Sequence, residues 1–361
     1  MNNRLSSLDA FRGFTIAAMV LVNNPGDWGN LYGQLEHAHW NGWTFTDWIF
    51  PFFLFIGGVS MALSLGRLAD AGADKASLLR KLAIRAGMIF LIGFLLNLVP
   101  HFNFATVRIP GVLQRIALCT LLSAPIVLYF SWRGQLAWIA GLLTAYSAFM
   151  LSGGPLEPGQ DAGAAIDRLL LDGHLWVQSK TWDPEGLAST VPAVCSQLFG
   201  VLTGRWLLSS VPRSEQTVWM LLAGLAMLWL GAILDVVLMP INKSLWTPSF
   251  AIFMTGWALV LFSAFYWLLD VKPQAIAQRW SKPLVIYGMN ALFIFAFSGL
   301  VAKMLGFIKI GDVSLGRMLY APVRALPIGP VNTSLLYAVL FNAAMFAVAW
   351  AMWRKKWFVK V

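Results

Sequence analysis

Two histidines and two carboxylates lie close together in a short polar stretch near the N-terminus. His37 and His39 follow Glu36, and Asp47 comes shortly afterwards. An imidazole titrates near neutral pH, so either histidine could act as a base, a nucleophile or a proton relay. The alternative is a surface imidazole that hydrogen-bonds a neighbour, while a His-x-His metal site lacks a third ligand at a suitable spacing. Asp47 also suits the positive end of a helix dipole, a purely structural role.

Arginines within or beside apolar runs are a second group that could do chemistry. Arg108 and Arg115 are seven residues apart, which places them on one helical face, about 10 Å apart along it. Two guanidinium groups lining a cavity suit a phosphate-bearing ligand, because each presents fixed, forked donors. Arg108 could instead snorkel to the membrane surface, which is harder for the deeper Arg115. Arg12 could pair with Asp9, three residues before it on one helical face.

A pair of carboxylates follows in the polar segment 153–187. Asp183 and Glu185 are two residues apart in an Asp-Pro-Glu-Gly sequence. They could hold the amine or the hydroxyl groups of a sugar, or they could be ordinary turn and helix-cap residues. The spacing alone leaves both interpretations open.

The composition excludes a soluble enzyme. Of the 361 residues, 58% are hydrophobic and only 12% are charged, with a mean hydropathy of +0.69. A soluble domain of this length would need far more polar residues to cover its surface. The net charge of +10 forms no basic stripe, so nucleic acid is not an expected partner. Cys119 and Cys195 lie in apolar runs without disulfide or metal spacing.

Apolar segments long enough to cross a bilayer recur along the whole chain. They predict an all-α, polytopic membrane protein of about ten transmembrane helices, forming a single domain over residues 1–361. The predicted spans are residues 8–24, 46–66, 82–99, 110–130, 135–152, 188–208, 217–238, 247–269, 284–305 and 332–353. The predicted outer polar loops are residues 25–45, 153–187, 239–246 and 306–331.

The loop charges predict the orientation. With the N-terminus inside, the cytoplasmic loops receive about twice as many Lys and Arg residues as the outer loops. An even number of helices then places both termini in the cytoplasm. The outer loop 306–331 runs against this rule, so we expect it to contain a re-entrant or interfacial segment. No internal repeat and no nucleotide-binding motif is evident, which argues against an inverted-repeat transporter.

Short motifs extend over nearly the whole chain in a fixed order. They are Leu8-Asp9-Ala10-Phe11-Arg12-Gly13, Asn23, His37-Ala38, Trp40-Asn41-Gly42, Thr46-Asp47, Phe50-Pro51, Val107-Arg108-Ile109-Pro110-Gly111-Val112-Leu113-Gln114-Arg115, Asp167-Arg168-Leu169-Leu170-Leu171, Asp183-Pro184-Glu185-Gly186, Asn242-Lys243, Leu245-Trp246, Gly288-Met289-Asn290 and Arg354-Lys355-Lys356. In this order they resemble the heparan-α-glucosaminide N-acetyltransferase family, whose bacterial members are called NagX-like. The long run 107–115 and the Trp-Asn-Gly region are the most specific parts.

The resemblance implies a transmembrane acetyltransferase in a bacterial inner membrane. Such an enzyme takes acetyl from cytosolic acetyl-CoA and delivers it to the amine of a glucosamine-type sugar on the periplasmic face. The resemblance implies that His37 is catalytic and that Asn23 assists it. We predict that the acceptor-binding residues are Asn41, Asp47, Asp183, Glu185, Asn242, Lys243, Trp246 and Asn290. The predicted donor-binding residues are Arg12, Arg108, Gln114 and Arg115, and no metal is expected.

Two alternatives stay open at this stage. His37 could take the acetyl group covalently, or it could deprotonate the sugar amine for direct attack. An amino-sugar permease would use the same outer polar residues as a binding site without acyl transfer. The sequence also leaves open which amino sugar is the acceptor and whether the chain forms a homodimer.

Overall fold

The computed structural model describes residues 5–359, except for the side chains of residues 69 and 70. The chain is a bundle of α-helices with one short hairpin. The helices are α1 (Ser6–Val22), α2 (Phe45–Met61), α3 (Arg67–Asp70), α4 (Lys75–Leu98), α5 (Val112–Tyr129), α6 (Trp132–Ser152), α7 (Ala162–Leu171), α8 (Thr190–Leu207), α9 (Arg213–Val237), α10 (Pro248–Tyr266), α11 (Ala275–Gly288), α12 (Ala291–Phe307), α13 (Leu315–Arg324) and α14 (Pro330–Arg354). The strands are β1 (Lys309–Ile310) and β2 (Val313–Ser314), which pair antiparallel.

Short non-α turns extend this framework. A 3₁₀ turn, Gly33–Leu35, lies in the loop between α1 and α2. Two π-helical turns, Ala62–Gly66 and Trp267–Val271, continue α2 and α10. With these extensions, α2 and α10 become long enough to cross a bilayer.

The prediction of an all-α, polytopic membrane protein is confirmed. Within the described residues, seven helices are long and apolar enough to cross a membrane. An eighth span is counted if α11 and α12, which bend by 67° at their junction, cross together. Helices overlap all ten predicted spans, but α1 and α8, with 17 and 18 residues, are not among the seven. The number ten and the cytoplasmic termini remain predictions, because seven or eight spans qualify within residues 5–359 and helix length and composition do not fix the orientation.

Two predicted outer loops contain secondary structure of their own. The segment 153–187 includes α7, and the segment 306–331 folds into the β1–β2 hairpin and α13. Residues Met318 and Leu319 of α13 are exposed, whereas Tyr320 is buried against α14, where its hydroxyl meets Thr333 Oγ1 at 3.2 Å. One face of α13 thus packs on the bundle, and the exposed face presents apolar side chains, as expected for an interfacial segment.

Glycines allow α2 to approach α8 closely. A Cβ atom on Gly58 would come to 1.9 Å from the backbone oxygen of Gln197, and one on Gly200 to 2.0 Å from that of Phe55. Small residues at helix contacts let backbones approach each other within a membrane. Because α2 also carries Asp47, this contact positions the start of the helix that carries the site described below.

We predict that Gly58→Ala destabilises the protein by about 1 to 3 kcal/mol, because the added methyl group forces α2 and α8 apart. Gly57→Ala is the matched control, since a Cβ atom there meets nothing within 4 Å. Thermal unfolding in detergent micelles measures both variants. Equal unfolding midpoints for the two variants would show that the close contact is not required.

Candidate functional site

The loop that joins α1 to α2 brings His37 onto the first turn of α2. His37 Nδ1 lies 2.7 Å from Asp47 Oδ1. The other oxygen, Asp47 Oδ2, accepts hydrogen bonds from the backbone amides of Ala38 and Thr44 at 3.1 and 3.0 Å. Asp47 is buried, whereas about half of the His37 side chain is exposed. Asp47 therefore has both of the roles considered above, since it caps α2 at Thr44 and also orients the imidazole.

Lys243 reaches the same imidazole from the loop between α9 and α10. Its Nζ atom lies 3.0 Å from His37 Nε2, 2.9 Å from His37 Nδ1 and 3.7 Å from Asp47 Oδ1. Asn242 anchors this loop: it is fully buried and donates from Nδ2 to Asn41 Oδ1 at 3.1 Å. The anchored loop holds the Lys243 backbone beside His37.

A second group of ion pairs lies next to the first. Arg108 Nε donates to Asp183 Oδ2 at 2.8 Å, and Arg108 Nη2 donates to Asp183 Oδ1 and to Glu185. Both carboxylates are almost completely buried, and the Arg108 side chain is only 21% exposed. The guanidinium is thus engaged by two carboxylates and does not snorkel to the membrane surface.

Arg115 lies deeper in the bundle, one turn inside α5. It is 1% exposed, and its Nη2 atom donates to the Gly186 carbonyl at 2.9 Å and to Ser189 Oγ. Its guanidinium carbon lies 5.3 Å from the ring centroid of Trp246, a cation–π distance. Its Nε and Nη1 atoms have no hydrogen-bond partner among residues 5–359. Arg115 therefore has two buried nitrogen atoms whose N–H groups have no acceptor within these residues.

These residues form one group, which we call the polar cluster. It consists of His37 with three carboxylates and three cations: Asp47, Asp183, Glu185, Arg108, Arg115 and Lys243. The charges balance, as the burial of most of these side chains requires.

Burial and the charges of the polar cluster shift the pKa values of its residues. Burial and the Lys243 ammonium together lower the pKa of His37, against the opposing influence of Asp47 and Glu185. Burial also lowers the pKa of Lys243. Burial alone would raise the pKa of Glu185, but the three cations of the polar cluster outweigh it and lower that pKa. His37 is consequently held neutral, with a free electron pair, at physiological pH.

Several residues with a predicted role in the site make contacts that differ from those expected. Asn41 and Asn242 join two loops through their side chains. Trp246 was expected to be an interfacial residue that contacts the acceptor, but it is fully buried and donates from Nε1 to Ser196 Oγ at 3.0 Å. It therefore cannot stack on a sugar and supports Arg115 instead. Asn23 is exposed and has no side-chain hydrogen bond to His37 within the described residues.

The residues expected to bind the donor are divided between two ends of the bundle. Arg108, Gln114 and Arg115 lie at the His37 end, with Gln114 buried at the contact between α4 and α5. Arg12 lies on the first half of α1, where it contacts Asp9 at 3.1 Å and Ser60 at 2.8 Å. The proposed phosphate ligands therefore do not form one site.

Asn290 does not lie at the polar cluster. It is located at the bend between α11 and α12, near the beginning of α1. Its side chain donates to the Trp357 carbonyl and accepts from the Val359 amide, both at 3.0 Å. This geometry corrects the expected acceptor contact, because the amide holds the C-terminal segment at the opposite end of the bundle.

Tryptophans around the site were not singled out from the sequence. Trp40 and Trp182 pack edge to face at 5.2 Å, and Trp176 adds a third ring 5.5 Å from Trp182. All three are partly exposed beside His37 and Asp183. The position of Trp40 in the Trp-Asn-Gly motif was the available signal, but nothing local links it to the two distant tryptophans.

Asp167 supports the same region from α7. It accepts the Leu187 amide at 2.8 Å and thereby holds the turn that carries Asp183 and Glu185. Burial raises the pKa of Asp167 to about 6.

We predict that Arg108→Gln destabilises the protein by about 3 kcal/mol at neutral pH, because it leaves two buried carboxylates without their cation. The deficit should shrink as the pH falls, since protonation removes the uncompensated charge. Denaturation in detergent at several pH values measures it, and Arg317→Gln on the exposed side of α13 is the control. A deficit that does not change with pH would contradict the assignment.

Comparison with known proteins is consistent with this site. A family model described as "Heparan-alpha-glucosaminide N-acetyltransferase, catalytic" matches residues 4–223. The chain is 28% identical to the Heparan-alpha-glucosaminide N-acetyltransferase of Homo sapiens over 355 residues, covering 81% of this chain and 52% of that protein. It is 29% identical to the protein of the same name from Mus musculus over 360 residues, covering 81% and 53%. The chain thus spans about half the length of these relatives.

The family model covers more than half of the chain, including the loop with His37, Asp47, the run 107–115 and the turn with Asp183 and Glu185. The chain therefore belongs to the heparan-alpha-glucosaminide N-acetyltransferase catalytic family.

Proposed function

We propose that the protein is a transmembrane N-acetyltransferase that moves acetyl from acetyl-CoA to the amine of a glucosamine-type sugar. The observation that carries the proposal is the His37 imidazole, half exposed and held between Asp47 and Lys243. Membership of an acetyltransferase family supports the reaction class.

The chemistry follows from the hydrogen bond between His37 and Asp47. A carboxylate at Nδ1 fixes the tautomer in which Nδ1 carries the proton, so Nε2 has the electron pair. Nε2 can then attack the thioester carbonyl or take a proton from the sugar amine. Both routes need a neutral imidazole, which the lowered pKa of His37 favours.

The donor side of the proposal concerns the opposite end of the bundle. A cavity of about 520 Å³ lies there, beside the beginning of α1, and its lining includes Arg67, Arg213 and Tyr266. The charged nucleotide of acetyl-CoA cannot cross lipid, so we place it on this side, with Arg12 nearby. Because α1 is about 25 Å long, the pantetheine arm must reach through the bundle towards His37.

The acceptor side is the His37 end. The amine of an amino sugar is cationic, and Glu185 and Asp47 are the carboxylates nearest to the imidazole. Both carboxylate oxygens of Asp183 accept hydrogen bonds from Arg108, so its contribution to acceptor binding would be indirect. Trp40 and Trp182 are partly exposed aromatic rings of the kind that contact sugar faces. We place this end on the periplasmic side of a bacterial inner membrane. Whether the chain forms a homodimer is a separate question for experiment.

The alternative is an amino-sugar permease, which would use the same end without acyl transfer. Purified protein in detergent discriminates the two, because only the enzyme transfers labelled acetyl from acetyl-CoA to glucosamine.

We predict that His37→Ala abolishes this transfer while CoA binding and the unfolding temperature stay near the wild-type values, since a half-exposed imidazole contributes little to helix packing. His39→Ala is the matched control, because His39 is exposed in the same loop, and it should retain most of the activity. More than a few percent of wild-type turnover in the His37→Ala protein would overturn the proposed mechanism.

A further inference from the structure

The loop between α9 and α10 delivers a cation to the reactive atom of His37. Lys243 Nζ lies 3.0 Å from His37 Nε2 and 2.9 Å from His37 Nδ1, so the ammonium is within reach of a group that reacts at Nε2. We propose that Lys243 is a catalytic residue whose ammonium donates a hydrogen bond to the acetyl oxygen while negative charge develops there. This inference rests on the proposed acetyltransferase function and deepens it.

The attack on the thioester involves the same electron movements in both routes of transfer. The attacking nitrogen, either His37 Nε2 or the sugar amine, forms a bond to the thioester carbon, and the carbon–oxygen π electrons move onto oxygen. When they return, the carbon–sulfur bond breaks and its electrons leave with the CoA thiolate. In direct attack the amine proton passes to His37 Nε2 and from there to the thiolate. In the covalent route the amine attacks the carbonyl carbon of acetyl-His37, the bond from that carbon to Nε2 breaks, and the amine proton passes to the thiolate. In each attack negative charge develops on the acetyl oxygen, and the Lys243 ammonium stabilises it.

The backbone of Lys243 is fixed before any substrate binds. The Trp246 amide donates to the Lys243 carbonyl at 3.0 Å, and the Thr247 amide donates to the Asn242 carbonyl at 3.1 Å. Trp246 itself has a φ of 51°, an uncommon conformation for a large side chain, and its ring is fully buried. The fixed loop therefore keeps the Lys243 ammonium close to the position where negative charge develops.

Two other assignments fit the geometry less well. Asn23, the residue that the family resemblance placed beside His37, is exposed at the end of α1. An acceptor-binding role for Lys243 is disfavoured by charge, because an ammonium repels the cationic amine of the acceptor. The Lys243 side chain is flexible, so its Nζ atom can move away from His37 Nε2 and still reach the acetyl oxygen.

The test compares Lys243→Met with Lys309→Met, an exposed lysine of the β1–β2 hairpin. At about pH 8, above the ordinary imidazole pKa, Lys243→Met should lower kcat by about 100- to 1,000-fold with little change in acceptor KM. Lys309→Met should match the wild type. A loss of kcat below about fivefold, or a change confined to acceptor KM, would overturn the inference.

Two further measurements separate catalysis from folding. Lys243→Cys treated with 2-bromoethylamine regains an amine at this position and should recover kcat, while Cys119 and Cys195 are fully buried. The groups facing His37 are Asp47, Glu185 and Lys243, so loss of the ammonium should shift the acidic limb of kcat to higher pH. An alkylated protein that stays inactive would contradict the inference. A wild-type protein without any transfer would instead refute the proposed function itself.

Discussion

A helical bundle in lipid offers no water to solvate a charge, so every buried ion must meet a partner inside the protein. In this chain the requirement is met at one end of the bundle, where three carboxylates and three cations surround a histidine. The groups come from five separate parts of the sequence, so no single helix can form the site. The fold can therefore be understood as the arrangement that brings these charges together, and their removal one at a time leaves an uncompensated ion.

The same ion pairs hold His37 and the residues around it in fixed positions. Asp47, in the first turn of α2, bonds to Nδ1 of His37, while the anchored loop of Lys243 holds a cation close to both ring nitrogens. Arg108 and Arg115 fix the turn with Asp183 and Glu185 behind them. The opposite end of the bundle is built differently: a cavity beside the beginning of α1 and a bend at Asn290, where the C-terminal segment is bound. This separation suits two substrates that approach from different sides.

The sequence predicted the class of the fold because hydropathy and helix length are local properties. It also singled out His37, Asp47, Arg108 and Lys243, which lie together in the polar cluster, because the family motifs carry them; their roles remain predictions. It could not predict that Asp183 and Glu185 bind Arg108, since that contact joins residues more than seventy positions apart. Trp246 and Asn290 were misplaced for a similar reason, because their burial and their partners, Ser196 and Trp357, depend on tertiary packing. The bend between α11 and α12 was also missed, since the apolar run 284–305 continues through it.

The central claim is that acetyl crosses the membrane during transfer, with the donor nucleotide bound at the end of the bundle opposite to His37. Proteoliposomes of uniform orientation, loaded with glucosamine and supplied with labelled acetyl-CoA outside, test this claim most directly. We predict labelled N-acetylglucosamine inside the vesicles only when the α1 N-terminal end faces outwards, and none with His37→Ala protein. Product that forms only when both substrates are on the same side of the membrane would contradict the claim.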